Sequence, residues 1–206
     1  MDLKEFDKNF LSRSIKTLAG VDEAGRGPLA GPVVAAVAIF DNKTIIPKIN
    51  DSKKLSAKVR EELYDEIIKH AISYGVGIVY QKEIDEINIL QATLKAMQLA
   101  VAELKTTPDL ILIDGNKAFF SEISTKTIIK GDSKSFSIAA ASILAKVTRD
   151  RIMIAESKKQ PAYLWFKNKG YGTREHIEAI KKHGVTELHR MSFLRNILER
   201  QEELNI

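Results

Sequence analysis

Alternating apolar and β-branched positions predict strands over residues 16–22 and 33–40, joined by a Gly- and Pro-rich stretch too short to hold a helix. From Ser56 the period changes. Val59, Leu63, Ile67 and Ala71 recur at helical spacing, which predicts an amphipathic helix over 56–72 with Ser56 as its N-cap. A strand follows at 75–80. Ile89, Thr93, Ala96, Met97, Ala100 and Leu104 keep a helical period, and Pro108 closes that region. Leu110-Ile111-Leu112-Ile113 is short and continuously apolar, the signature of a strand covered on both faces, and it ends at Asp114-Gly115. A strand over 127–130 and a long helix of small residues over 136–154 come next. Beyond Gln160-Pro161 the composition changes to a loop ending in Lys169-Gly170-Tyr171-Gly172, a helix over 174–183 and a last helix over 193–204. A hairpin followed by alternating helices and strands predicts an α/β layer architecture with a mixed sheet flanked by helices.

Composition narrows the class. The chain has 206 residues and no cysteine. A single domain of that length buries roughly 70% of the surface its unfolded form exposes, so it folds without disulfide or metal. The missing cysteines exclude a disulfide scaffold, a thiolate zinc site and a cysteine nucleophile. The charged start Met1-Asp2-Leu3-Lys4-Glu5 and an apolar run no longer than Val33 to Phe40 fall short of the roughly 18 residues a membrane span needs. A cytosolic, cytoplasmic protein with no membrane partner is expected, and a monomer. The net charge of +5 is unevenly spread: residues 126–206 hold 16 Lys+Arg against 9 Asp+Glu, whereas residues 1–125 hold 16 against 18. A basic C-terminal part suits a polyanion, although a solvated lysine-rich surface gives the same arithmetic.

The candidate chemistry lies at strand ends. Asp22 and Glu23 end the first predicted strand, where adjacent side chains point to opposite faces, so a shared site needs the backbone to bend just after them at Gly25 and Gly27. Asp114 caps the buried strand, and Asp132 lies between a strand and the small-residue helix. Ligands bind at such strand exits in open α/β sheets. Converging carboxylates persist when a cation neutralises them, and with no cysteine available an all-carboxylate site implies Mg²⁺ or Mn²⁺. That is the donor set of two-metal phosphoryl transfer. Taken singly, each Asp is more often a turn or capping residue.

Rival motifs fail on spacing. In Gly25-Arg26-Gly27-Pro28-Leu29-Ala30-Gly31 the third glycine comes one position late for a dinucleotide loop and a strand follows; Lys130 to Ser135 has one glycine and is no Walker loop; no G-x-S-x-G elbow is present. Polar residues frame the acids instead. Arg26 between two glycines lets backbone N–H groups meet a phosphate. Lys53 and Lys54 precede a helix N-terminus. Ser142, Lys146 and Arg149 or Asp150 share one face of the small-residue helix. Tyr171 between glycines is a platform for a sugar or base.

In this order, the Asp22 to Pro32, Asp51 to Ser56, Ile113 to Asn116, Lys130 to Asp150 and Gly170 to His176 stretches, with His189-Arg190-Met191-Ser192-Phe193, resemble bacterial ribonuclease HII, the type 2 ribonuclease H. The resemblance runs from about Ala19 to Phe193. It implies a ribonuclease H-like fold with a small helical C-terminal extension, divided as 1–16 (N-terminal extension), 17–160 (catalytic core) and 161–206 (substrate-binding extension). It also implies cleavage of RNA in RNA-DNA hybrids and of duplex DNA 5' of a lone ribonucleotide. Two Mg²⁺ or Mn²⁺ ions would serve Asp22, Glu23, Asp114 and Asp132 and leave 3'-hydroxyl and 5'-phosphate ends. Gly25, Arg26 and Gly27 are implied to read the ribose 2'-hydroxyl. Tyr171 would sense the deoxyribose beside the junction, and Lys53, Lys54, Asn116, Ser133, Lys134, Ser142 and Lys146 would contact the substrate. Two departures stand out. Pro161-Ala162-Tyr163-Leu164-Trp165-Phe166 lacks the family's glycine, and with few residues after the last predicted helix, docking on a replication clamp is not expected. The alternatives are a type 3 ribonuclease H, which usually carries an extra N-terminal substrate-binding domain, and a non-catalytic nucleic-acid binder, which leaves the four acids without a task.

Overall fold

The computed structural model describes residues 2–202, and side chains up to Arg195 and at Ile197. Five strands, β1 (Leu18–Ala24), β2 (Val33–Ile39), β3 (Ser73–Val79), β4 (Leu110–Asp114) and β5 (Thr125–Ile128), form one sheet in the order β3-β2-β1-β4-β5. β1 runs antiparallel to β2 and parallel to β4, and β4 runs parallel to β5. The expected mixed sheet flanked by helices is therefore present. Two helix layers cover it. α3 (Gln81–Ala102) packs with Ala92, Ala96, Met97 and Ala100 on the face that carries Ala19, Val21 and Ile113; α2 (Ala57–His70) and α4 (Phe136–Lys159) cover the other.

α2 starts where expected, with the Ser56 side chain accepting the N–H of Val59. Other boundaries differ for physical reasons. β1 begins and ends two residues later than its pattern, so Asp22 and Glu23 lie within its pairing to β2, opposite Ala36 and Ala35. β3 and β5 begin two residues early. α3 extends N-terminally past Asn88, whose φ of 68° breaks the helix and whose side chain accepts the N–H groups of Leu90 and Gln91. A short α1 (Leu3–Lys8), unmarked by periodicity, exists because Asp7 accepts both the N–H and the hydroxyl of Ser137 at the start of α4. The final helix, α7 (Met191–Glu202), starts two residues early, and the last expected helical positions lie outside the described residues.

The segment after α4 packs back on the loop between β1 and β2. In the Pro161–Phe166 stretch Leu164 takes the left-handed conformation (φ 53°) without a glycine, before α5 (Trp165–Asn168). Tyr163 stacks on Trp165, with centroids 5.0 Å apart, and both rings meet His176, on α6 (Arg174–His183), and His189. Burial and the neighbouring His176 hold the His189 imidazole down at about 4. Protonation therefore favours the unfolded chain, and stability present at neutral pH is lost as pH falls from the ordinary 6.5 toward 4. Acids with raised values act oppositely, so the effect is read as a difference. Between pH 7.5 and 5 the wild type should lose about 2 kcal/mol more than His189→Gln in urea unfolding; equal losses would refute this.

Candidate active site

Parallel pairing in register sets the geometry. Val21 pairs with Ile113, so the next residue of each strand, Asp22 and Asp114, leaves the sheet side by side on the α4 face. β5 continues through Lys130, left-handed at φ 57°, into a 3-10 turn at Gly131–Ser133 that carries Asp132 to the same edge. The N–H of Gly131 donates to Asp114 Oδ1 at 2.6 Å and fixes that carboxylate. Carboxylate oxygens of Asp22, Asp114 and Asp132 all lie within 4.8 Å of one another. Asp22 and Asp132 are buried, 5% and 6% exposed. Burial raises the Asp22 carboxyl well above its usual range, and the Glu23, Asp114 and Asp132 charges add to that. Asp114 is raised by burial as well, with Asp132 adding to it against the Gly131 hydrogen bond. Crowded carboxylates with an all-oxygen donor set fit a hard divalent cation.

Glu23 does not join this trio directly. It faces the α3 side of β1, with its carboxylate 3.4 Å from Arg26 Nη1; burial raises it and Asp114 is near enough to raise it further, while Arg26 opposes both. It lines the cleft from the other face of the strand, and the backbone turns just after it at Gly25 (φ 96°).

A cleft of about 240 Å³ opens over the acids. The acids Asp22, Glu23 and Asp114, the turn residues Gly25, Arg26 and Gly27, Tyr171, and Lys53, Ser142 and Lys146 all line it. Lys53 is aimed by Asp51, which accepts its backbone N–H, and its Nζ stands 3.2 Å from Asp132 Oδ2. The Ser142 hydroxyl donates to that of Ser52 at 2.7 Å, pinning the 3-10 turn Ser52–Lys54 to α4. Lys146 pairs with Asp150 at 2.7 Å.

Several expected residues lie elsewhere. Lys54 sits outside the cleft with its Nζ 4.0 Å from Asp51, because the 3-10 turn sends consecutive side chains apart. The Ser133 hydroxyl donates to the Lys130 carbonyl and closes the turn. Lys134 is exposed beyond the cleft lining. Asn116 lines a separate cleft on the α3 side with Glu23, Arg26 and Asp114.

Two arginines whose burial was not expected from the sequence organise the site. Arg149 lies two turns after Ser142 on the same face of α4, but not in the cleft lining: it is fully buried and donates to the carbonyls of Pro32, Ala30 and Lys169. Arg190, also fully buried, donates to Gly25, Arg26 and Gly31. Burial opposes both charges, and for Arg190 the neighbouring Arg149 adds to it. The two forks hold the glycine turn between them. Gly25, at φ 96°, passes so close that a Cβ would lie 2.1 Å from Arg149 Nε. A Cβ on Gly27 would meet the Tyr171 ring at 4.0 Å, so turn and tyrosine face each other. The signal was available: Ala141, Ala145, Arg149 and Met153 follow each other at one helical repeat, which puts an arginine on the buried face.

Comparison with known proteins agrees with this geometry. The family model described as Ribonuclease HII matches residues 19–196. Ribonuclease HII of Acetivibrio thermocellus is 55% identical over 193 residues, 94% of this chain and 75% of that protein. That of Caldicellulosiruptor bescii is 54% identical over 194 residues, 94% of each chain. The crystal structure of ribonuclease H2 from Pyrococcus horikoshii superposes with a TM-score of 0.75 at 31% identity, covering 91% of this chain and 99% of that one. Among the described residues no helix is long and apolar enough to cross a membrane. Sheet order, acid trio and sequence similarity agree, and the chain belongs to the ribonuclease HII family of ribonuclease H hydrolases, endoribonucleases of RNA-DNA hybrids.

Proposed function

We propose that this enzyme hydrolyses the RNA strand of RNA-DNA hybrids and nicks duplex DNA on the 5' side of a single embedded ribonucleotide, leaving 3'-hydroxyl and 5'-phosphate ends. Ribonucleotide excision repair and RNA primer removal are the processes that need such a cut. The observation that carries the reading is the trio Asp22, Asp114 and Asp132 at one sheet edge, beside a cleft that Asp22 and Asp114 line together with the glycine turn and Tyr171.

Asp22, Asp114 and Asp132, with Glu23 from the other face of β1, would hold two Mg²⁺ or Mn²⁺ ions. Such ions supply Lewis acidity toward the scissile phosphate and lower the pKa of water. The protein's own groups do the rest. Lys53 and Lys146 offer positive charge to backbone phosphates on the α4 side. The carbonyls of Gly25 and Arg26 turn inward to Arg190, and in planar trans peptides this turns the N–H groups of Arg26 and Gly27 the opposite way. There they suit a 2'-hydroxyl, the one group by which RNA differs from DNA at that sugar. Tyr171, 43% exposed across from Gly27, offers its ring to the next sugar, and the segment 161–206 that carries it acts as the substrate-binding extension.

Tyr171→Ala tests the specificity half. The ratio of kcat/KM on a one-ribonucleotide duplex to that on a uniform RNA strand paired with DNA should fall by about tenfold or more, since a lost base or sugar platform is worth about 1–3 kcal/mol. An unchanged ratio would remove Tyr171 from specificity.

A further inference from the structure

The cleft accounts for the acids, the turn and Tyr171, yet none of the histidines touches it. Two of them, His176 and His189, are buried (0% and 3% exposed) directly behind the backbone of Tyr171. Their hydrogen bonds admit one assignment of protons. The indole N–H of Trp165 is a donor only, and it points at His176 Nε2 from 3.0 Å, so that nitrogen accepts. The His176 proton is then on Nδ1, which lies 2.9 Å from the Tyr171 carbonyl oxygen and donates to it. At the other ring, the N–H of Thr186 donates to His189 Nδ1 at 2.9 Å, which places the His189 proton on Nε2. That proton faces His176 Nε2 at 3.2 Å and shares that nitrogen's one lone pair with the Trp165 indole N–H. The result is a directed relay from Thr186 through two neutral imidazoles of opposite tautomer to the Tyr171 carbonyl. The Thr173 N–H fills that carbonyl's second lone pair at 2.8 Å.

The relay ends on the residue that must be aimed most accurately. Tyr171 donates its own N–H to Asn168, and the Gly170 carbonyl before it accepts from Leu29 and Ala30, just beyond the glycine turn. Burial lowers both imidazoles, so the neutral forms the relay requires are the ones that persist.

We propose that His176, with His189 behind it, is a positioning residue for Tyr171: its Nδ1–H fixes the Tyr171 carbonyl and thereby the direction in which the ring crosses the cleft toward the sugar. This rests on the reading of Tyr171 as the junction-sensing side chain. A histidine that merely filled space would be replaceable by any side chain of similar volume. A positioning histidine is replaceable only by one that keeps the donor at the Nδ1 position.

Two substitutions separate these cases. In His176→Asn the side-chain amide can reach the Nδ1 position and keep the bond to Tyr171; in His176→Gln it extends to the Nε2 end and abandons it. The readout is the kcat/KM ratio between a one-ribonucleotide duplex and a uniform RNA-DNA hybrid, with Tyr171→Ala as reference. His176→Gln should lower the ratio by about tenfold, as one lost buried hydrogen bond allows, and His176→Asn should stay within about threefold of wild type. Equal ratios in both histidine variants, with Tyr171→Ala lowered, would overturn the proposal while leaving the role of Tyr171 intact. An unchanged ratio in Tyr171→Ala would instead overturn the reading beneath it. Nitrogen-15 NMR of the ring nitrogens in wild type is independent of any folding defect in the variants. At pH 7 it should show His176 protonated at Nδ1 and His189 at Nε2, and the same tautomer at both rings would overturn the relay.

Discussion

Asp114→Asn should lower cleavage in Mg²⁺ by at least about 10³-fold, the scale on which removal of one essential charged group acts in an active site. The same substitution should stabilise the metal-free protein. Asp114 is held above its usual carboxylate range by burial, and it shares its edge with Asp22 and Asp132, so its charge opposes the fold. A neutral amide keeps the oxygen that accepts the Gly131 N–H and removes the repulsion. In EDTA the melting temperature should rise by about 2–4 °C, as about 1 kcal/mol gives for a chain of this size. Added Mg²⁺ should then stabilise the wild type and leave the variant almost unmoved. Near-normal cleavage by Asp114→Asn would remove it from the site. A fall in stability in EDTA would contradict the electrostatic account.

Arg190→Leu should cost about 3–5 kcal/mol in urea unfolding, because the carbonyls of Gly25, Arg26 and Gly31 lose their donors inside the protein. Arg190→Lys keeps a charge and three donors, but on one nitrogen in place of the planar fork whose Nε, Nη1 and Nη2 reach Gly31, Arg26 and Gly25. At a temperature where that variant remains folded, cleavage at a single ribonucleotide should fall by about tenfold or more, as the Arg26 and Gly27 amides lose their direction. A loss below about 1 kcal/mol in Arg190→Leu would mean that water satisfies these carbonyls equally well.

The two arginines show why part of this site was hidden in the sequence. Periodicity reports which face of a helix is apolar, so α2 and α6 were legible nearly to the residue: each has a side-chain N-cap, Ser56 and Thr173, and a polar outer face. It can place Arg149 on the buried face of α4, but it does not report which backbone carbonyls of another segment a charged side chain enters the core to satisfy, as Arg149 and Arg190 do. Strand ends were less legible for a related reason. β1 continues to Ala24, two residues beyond the predicted strand, because Glu23 and Ala24 keep their ladder pairing to Ala35 and Val34 while the side chains of Asp22 and Glu23 turn to opposite faces. The acids were recognisable by type and place, but their grouping into a trio with Glu23 apart depends on the register of β1 against β4. The histidine relay was not legible at all. His176 and His189 meet through tertiary packing around Trp165, and no spacing along the chain announces it.

The most direct test of the account is cleavage mapping on a DNA duplex carrying one ribonucleotide, with Mg²⁺ or Mn²⁺ and with EDTA. The account predicts one nick on the 5' side of the ribonucleotide, with 3'-hydroxyl and 5'-phosphate ends, absent in EDTA and in Asp114→Asn. Binding of the duplex with no cut in either metal, or a cut that persists in EDTA, would contradict it.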